Sequence, residues 1–225
     1  MTKTITLLRF LSISFLLLSS ISANAQMHFK VGYTPAYLEP EENNKLLQSY
    51  NERNPWLRET FDDLNWIHGL DVGLRYRIGF VALEASWRAS FANKNAEGRL
   101  PTTNAAFQKK LIYRFNTYTF GLENYIGPVG LGVSLGYNRM TMKERTTDDR
   151  IDILKTDQWI GTIYLGLYTN HDGTISFALR PFVQIPIDQF DISKLADNLG
   201  EPDSGELLEK NYMTFGLSLV IFNGY

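Results

Sequence analysis

Eight separate stretches of this chain alternate large apolar residues with small or polar ones. Successive side chains of a strand point to opposite faces, so a period of two marks a strand with one greasy and one polar face. In the last stretch Phe215, Leu217, Leu219 and Ile221 share one parity, and Thr214, Gly216 and Ser218 share the other. Tyr225, at the chain end, keeps the apolar parity. The eight stretches cover residues 27–37, 70–80, 81–91, 111–124, 130–142, 159–168, 175–187 and 211–222. The fourth is less regular, because Arg114 and Asn116 share the parity of Tyr118, Phe120 and Leu122. A bulge or an exposed upper end would produce that.

Connections between the stretches alternate in length. A turn near Gly79, the segment "NYIGPVG" and the segment "TNHDG" are short and rich in hairpin-turn residues. The other four, residues 38–69, 92–110, 143–158 and 188–210, are long and polar. Eight antiparallel strands joined this way place every long loop at one end and every short turn, with both termini, at the other.

Two barrels share this pattern. A soluble one turns its greasy face inward around a ligand, whereas a membrane one turns it outward to lipid and fills its interior with the polar face. The polar parity here is rich in Gly, Ser, Thr and Ala with a few long charged residues, which suits the narrow interior of eight strands. Aromatics on the greasy parity, Tyr33, Tyr37, Trp87, Trp159 and Phe177, gather toward strand ends like the girdles of a membrane barrel. Cross-strand aromatic packing would give the same pattern.

Residues 1–25 have a basic start (Lys3, Arg9), a greasy run from Phe10 to Ile21, and Ala23-Asn24-Ala25 before Gln26. That is the layout of a cleaved secretory signal peptide, and its apolar run is short for a spanning helix. Residues 26–225 then form one barrel domain. Removing Lys3 and Arg9 takes the formal charge from -2 to -4, and no basic stripe suggests nucleic acid. With no cysteine there is no disulfide framework, thiolate nucleophile or zinc cluster, and no cofactor is expected.

The signal, the eight alternating segments, the short turns against long loops and the aromatic end together resemble the small outer-membrane β-barrels of Gram-negative bacteria, the OmpA/OmpX-like superfamily. The resemblance implies an eight-stranded antiparallel up-and-down transmembrane barrel in the outer membrane, with four long extracellular loops and three short periplasmic turns. It also implies that the terminal strand, through Phe215, Leu217, Leu219, Ile221 and Tyr225, is the signal read by the barrel-assembly machinery. Outer-membrane lipid and lipopolysaccharide are its expected surroundings, with envelope proteins as further partners.

If the polar parity faces inward, Lys30, Asp71, Arg75, Arg77, Glu84, Arg88, Glu123, Arg180 and Gln184 share one lumen. Unpaired charge there would be costly, so an ion-pair network that plugs the barrel is expected; a gated, porin-like ion path is the alternative. In the first loop, "RNPWLRETFDDLNWIHG" predicts a short helix with Asn54 as N-cap, Pro55 in the first turn and Gly69 past the end. It would cap the rim, or else bind a partner or the lipid surface. The first and last loops are acidic, but without an EF-hand pattern their charge is taken as solvated. A non-enzymatic role follows: envelope structure, adhesion or an accessory subunit. A lipid-modifying hydrolase would have to draw on Asp62, Asp63 and His68, with no serine partner evident.

Overall fold

A computed structural model describes residues 25–146, 149–169, 175–201 and 205–224. Nearly all of the segment 1–25 expected to be a signal peptide, residues 170–173 of the "TNHDG" turn and Tyr225 lie outside the described residues. In chain order the elements are β1 (Ala25–Leu38), α1 (Glu41–Arg53), β2 (Leu57–Glu59), β3 (Trp66–Ile78), β4 (Val81–Arg99), β5 (Ala106–Ile126), β6 (Val129–Thr146), β7 (Arg150–Tyr168), β8 (Ile175–Pro186), β9 (Phe190–Asp191), α2 (Ser193–Asn198), β10 (Leu208–Glu209) and β11 (Thr214–Gly224).

Eight of these strands close into a ring. Each of β1, β3, β4, β5, β6, β7, β8 and β11 pairs antiparallel with its neighbours in that order, and β11 returns to pair with β1. Closure leaves no free edge through the middle of the barrel, so backbone donors and acceptors find partners in the ladder without water. The chemistry of the two faces decides between the two barrels. Phe29, Phe120 and Leu131 point outward and are 64%, 60% and 61% exposed, whereas Lys30, Glu84 and Arg180 point inward and are 4%, 6% and 3% exposed. A water-soluble protein would not invert its surface in this way. The fold is a transmembrane β-barrel with lipid on its greasy face.

Two of the long connections are strand for most of their length. β4 and β5 keep an unbroken register from Val81↔Asn124 to Arg99↔Ala106, and β6 and β7 pair from Val129↔Leu167 to Arg145↔Arg150 with one shift near Met142. The alternation read from sequence stops earlier because, beyond the apolar band, polar residues serve both faces while the ladder continues. No register shift marks β5, so the irregular fourth stretch is an upper end rather than a bulge. There Leu111, Tyr113 and Phe115 on the inward parity are fully buried.

The helix of the first loop lies upstream of the segment predicted for it. α1 ends where the predicted helix was to begin, and Asn54 is its C-cap, with the backbone N–H donating to Asn51 O and Nδ2 to Tyr50 O at 2.8 Å. The chain after Pro55 is extended. β4 outruns β3 at the loop end, and β2 pairs with its uncovered edge at Glu97 and Gly98. Phe61 and Leu64, which looked like one face of a helix, are buried from a segment without regular secondary structure between β2 and β3. α1 has acidic residues in its first turn and Arg53 in its last, as its dipole favours. It buries Leu46, Leu47 and Tyr50.

These pieces form a cap with its own apolar core. Leu46 and Leu47 of α1, Leu195 of α2, Phe190, Tyr212, Met140 and Met142 belong to one buried cluster over the loop end of the lumen. Arg53 ties the helices together, donating to Gly200 O at 2.5 Å and Leu199 O at 2.9 Å beyond the end of α2.

Candidate functional site: the lumen

Side chains fill the barrel in layers. Nearest the turns, Tyr125, Tyr168, Val220 and Phe222 pack into a small cluster. Above them seven charged groups form one chain in which the sign alternates: Arg88, Asp71, Lys30, Glu84, Arg180, Glu123, Arg75. The successive contacts are 3.3, 3.0, 2.6, 2.8, 2.6 and 3.5 Å. The chain draws on five strands, so it cross-braces the wall. Each of the three carboxylates touches two cations, which offsets the desolvation that makes an isolated buried ion costly.

Four cations against three carboxylates leave one positive charge over, and aromatic faces lie at both ends. The Arg75 guanidinium lies 4.7, 4.8 and 4.3 Å from the ring centres of Tyr125, Tyr168 and Phe222. Arg88 lies 4.7 Å from that of Phe182. Rings at this distance stabilise a cation that lacks a second carboxylate. Hydroxyls complete the carboxylate shell: Tyr168 and Tyr125 donate to Glu123 at 2.5 and 2.9 Å.

Glycines on the inward parity make room for these groups. A Cβ on Gly132 would collide with the Tyr164 ring, and one on Gly130 with the Glu123 carboxylate. The small residues of one strand are thus the space occupied by the large residues of the next. Beside the ion chain is a cavity of about 30 Å³ lined by Ser86, Ser134, Thr162 and Gln184 among others, and a second of about 20 Å³ lies toward the cap. Each has room for about one or two waters.

Of the nine residues assigned to the lumen, seven make up this chain. Gln184 is half-buried above it, with Nε2 3.4 Å from Thr162 Oγ1. Arg77 lies at the turn-end rim, where its Nε donates to Gly79 O at 3.0 Å. Sequence reasoning missed the inward aromatics Tyr125, Tyr168, Phe182 and Phe222. For Tyr125 and Phe182 the available signal was a large ring on the polar parity opposite a glycine, Gly130 and Gly216, on the next strand. Phe215, Leu217, Leu219 and Ile221 of β11 all face outward and are exposed; Tyr225 falls outside the described residues.

Of the residues named for a hydrolase, Asp62 and His68 are exposed and Asp63 is half-buried. His68 faces outward, where its Nδ1 lies 2.7 Å from Tyr33 Oη, and Asp71 faces the lumen. Asp63 accepts from Gln48 Nε2 at 3.1 Å. Among the described residues, no three His, Asp or Glu side chains group as a metal site would require. In the acidic loops Glu41 and Glu42 pair with Lys45, and Glu201 pairs with Arg53.

No family model matches the sequence. No curated protein matches it either. Among solved structures the chain is similar to Ail, the attachment invasion locus protein of Yersinia pestis, at 11% identity and a TM-score of 0.48 over 90% of this chain and 99% of that one. It is also similar to Neisserial surface protein A, at 9% identity and 0.38 over 90% and 98%. The translocator domain of the autotransporter NalP from Neisseria meningitidis follows, at 7% and 0.42 over 98% of each. The assignment of the chain rests on its own closed ring of strands and inverted faces: it has the architecture of a small eight-stranded transmembrane β-barrel, filled from turn end to loop end.

Proposed function

We propose that this protein is a sealed, non-enzymatic barrel of the bacterial outer membrane that holds a folded cap at the cell surface. Its role is structural, adhesive or accessory within the envelope. The observation that carries this reading is the alternating chain of seven charges across the lumen, closed above by the apolar core of the cap. A gated path would need polar groups free to exchange partners with a passing ion, and here every carboxylate of the chain is held between two cations. The outward apolar residues of β11, which closes the ring against β1, suit a terminal strand read by the barrel-assembly machinery.

Reconstitution into planar bilayers tests the reading. A sealed barrel adds no stepwise current to the bare membrane, whereas resolved unitary openings in the parent protein would replace the plug with a channel. Lipid A acyl composition should be the same in cells with and without the protein; a changed pattern would point to a hydrolase.

A further inference from the structure

The surplus positive charge of the lumen chain has a definite place. The next buried pair toward the cap, Lys109 with Glu144 at 3.4 Å, is balanced in itself. Within the chain only the two end members, Arg75 and Arg88, touch a single carboxylate each. Arg75 is covered by three rings. Arg88 has one ring and one 3.3 Å contact from Nη2 to Asp71. Its buried Nε has no hydrogen-bond partner among the described residues. A buried cation so weakly compensated is costly, so Arg88 is where the chain has room for one more negative charge.

A cavity lies at that point. The space of about 30 Å³ beside the chain is lined by Lys30, Arg88 and Arg180 against one carboxylate, Glu84. Glu84 is already held by both Lys30 and Arg180, so the net charge facing the cavity is positive. Hydroxyls line it too, from Ser86, Thr119, Ser134, Thr162 and Ser218. Ser86 and Thr119 lie 2.8 Å apart, and so do Thr34 and Ser218. A bond between two hydroxyls uses one of their two protons, so each pair keeps one O–H to turn toward a further acceptor. Free O–H groups beside an arginine are the donors that an anion stripped of its water requires. Asp71 Oδ1 also lacks a partner, but Asp71 does not line this cavity.

Size and access narrow the ligand. Space for one or two waters admits a monatomic ion of halide size and excludes a tetrahedral oxyanion of five heavy atoms. Arg88 and Gln184 line both this cavity and the smaller one toward the cap, and so stand between the two. Beyond them lies the apolar core of the cap. An ion in the cavity would therefore be enclosed as the barrel closes, with no pore needed to deliver it.

We propose that the lumen cavity beside Arg88 binds one dehydrated halide-sized anion, chloride being the common one, which completes the charge balance of the seven-membered chain. The ion is a structural ligand of a sealed barrel and not a permeant one.

The test uses the full-length mature protein refolded from urea into lipid vesicles. Chloride replaces gluconate at constant ionic strength, so that screening stays the same throughout. An ion held by the folded barrel and released on unfolding raises the folded-to-unfolded ratio about tenfold for each tenfold rise in chloride above its dissociation constant. The parent should show that slope. Arg88→Gln leaves three cations against three carboxylates and should show no slope. A flat response in the parent overturns the proposal without any variant, and so does a folded Arg88→Gln with the parent's slope. Position is read separately, and on the parent alone, so the proposal stands or falls even if Arg88→Gln does not refold. Protein refolded and crystallised in bromide should give an anomalous peak in the cavity, within contact distance of Arg88 and the hydroxyls. Water alone in that cavity, or bromide bound only at the outer surface, overturns the proposal.

Discussion

Arg180 of β8 and Glu84 of β4 meet across the lumen as a two-pronged pair, with Nη1 2.8 Å from one carboxylate oxygen and 3.0 Å from the other. Each has one further ionic partner at 2.6 Å, Lys30 for Glu84 and Glu123 for Arg180, and those two are in turn shared with Asp71 and Arg75. Glu84→Gln leaves two buried cations with one carboxylate each, Lys30 with Asp71 and Arg180 with Glu123, and should cost about 3–5 kcal/mol. Urea unfolding from lipid vesicles reads the loss. Arg180→Gln should cost a similar amount, and the double variant should fall short of the sum by about 1 kcal/mol or more, as linked neighbours do. Additive losses would mean that the pair is not coupled.

Gly132 and Tyr164 make the steric counterpart of that pair. A methyl group at 132 takes the space of the ring, so Gly132→Ala should destabilise by about 1–3 kcal/mol, as overpacking does. Adding Tyr164→Leu should return part of the loss. If Gly132→Ala unfolds at the same urea concentration as the parent, the close packing of small against large residues is not what shapes the lumen.

Val133 and Ser134 are neighbours that face opposite ways, Val133 to the outside at 52% exposure and Ser134 to the lumen cavity. Arginine at a lipid-facing site near the bilayer midplane costs about 2–4 kcal/mol, so Val133→Arg should destabilise the barrel in vesicles by that amount. The chain has no native cysteine, so single-cysteine labels at 133 and 134 report the faces directly. A quencher dissolved in the lipid tails should dim the label at 133 and spare the one at 134; dimming of neither would return the greasy face to a protein core.

Glu209 holds the start of α1. Its Oε2 accepts the Asn43 N–H at 2.9 Å and its Oε1 the Asn211 N–H at 3.2 Å. Burial pushes its carboxyl above the ordinary range, although the backbone donors act against the rise. A raised carboxyl favours folding most when protonated. Its contribution is complete below the ordinary value of 4.5 and is lost as pH rises through the raised one. Amide exchange of α1 should thus quicken as pH rises above the ordinary 4.5, after correction for intrinsic rates. Glu209→Gln should flatten that slope. Asp191 does not confound the window, because hydrogen bonds from Ser193 lower its carboxyl and its contribution is lost only below its ordinary 3.8. Identical slopes in the parent and Glu209→Gln would remove Glu209 from the account.

The barrel was legible in the sequence because a period of two is a local property. Phe215 and Gly216 must point to opposite faces whatever else the chain does, and eight such stretches with alternating connection lengths leave few ways to pair. Membership of the inward set followed from the same parity, which is why Lys30, Glu84 and Arg180 could be grouped before any contact was known. Which carboxylate sits between which cations could not be read this way. Arg180 reaches Glu84 across 96 residues of chain, and that choice depends on strand order, shear and the space left by Gly130 and Gly132. The cap lay further still from the local pattern. Above the lipid band Leu111, Tyr113, Phe115, Met140 and Met142 occupy the inward parity, and they are apolar because α1, α2 and Tyr212 cover them. Parity tells which way a side chain points, but only the packed loops decide whether that direction is water, lipid or protein. Extended chain after Pro55 has the same origin: its apolar spacing suits a helix, yet the open edge of β4 at Gly98 and the buried sites for Phe61 and Leu64 draw it out.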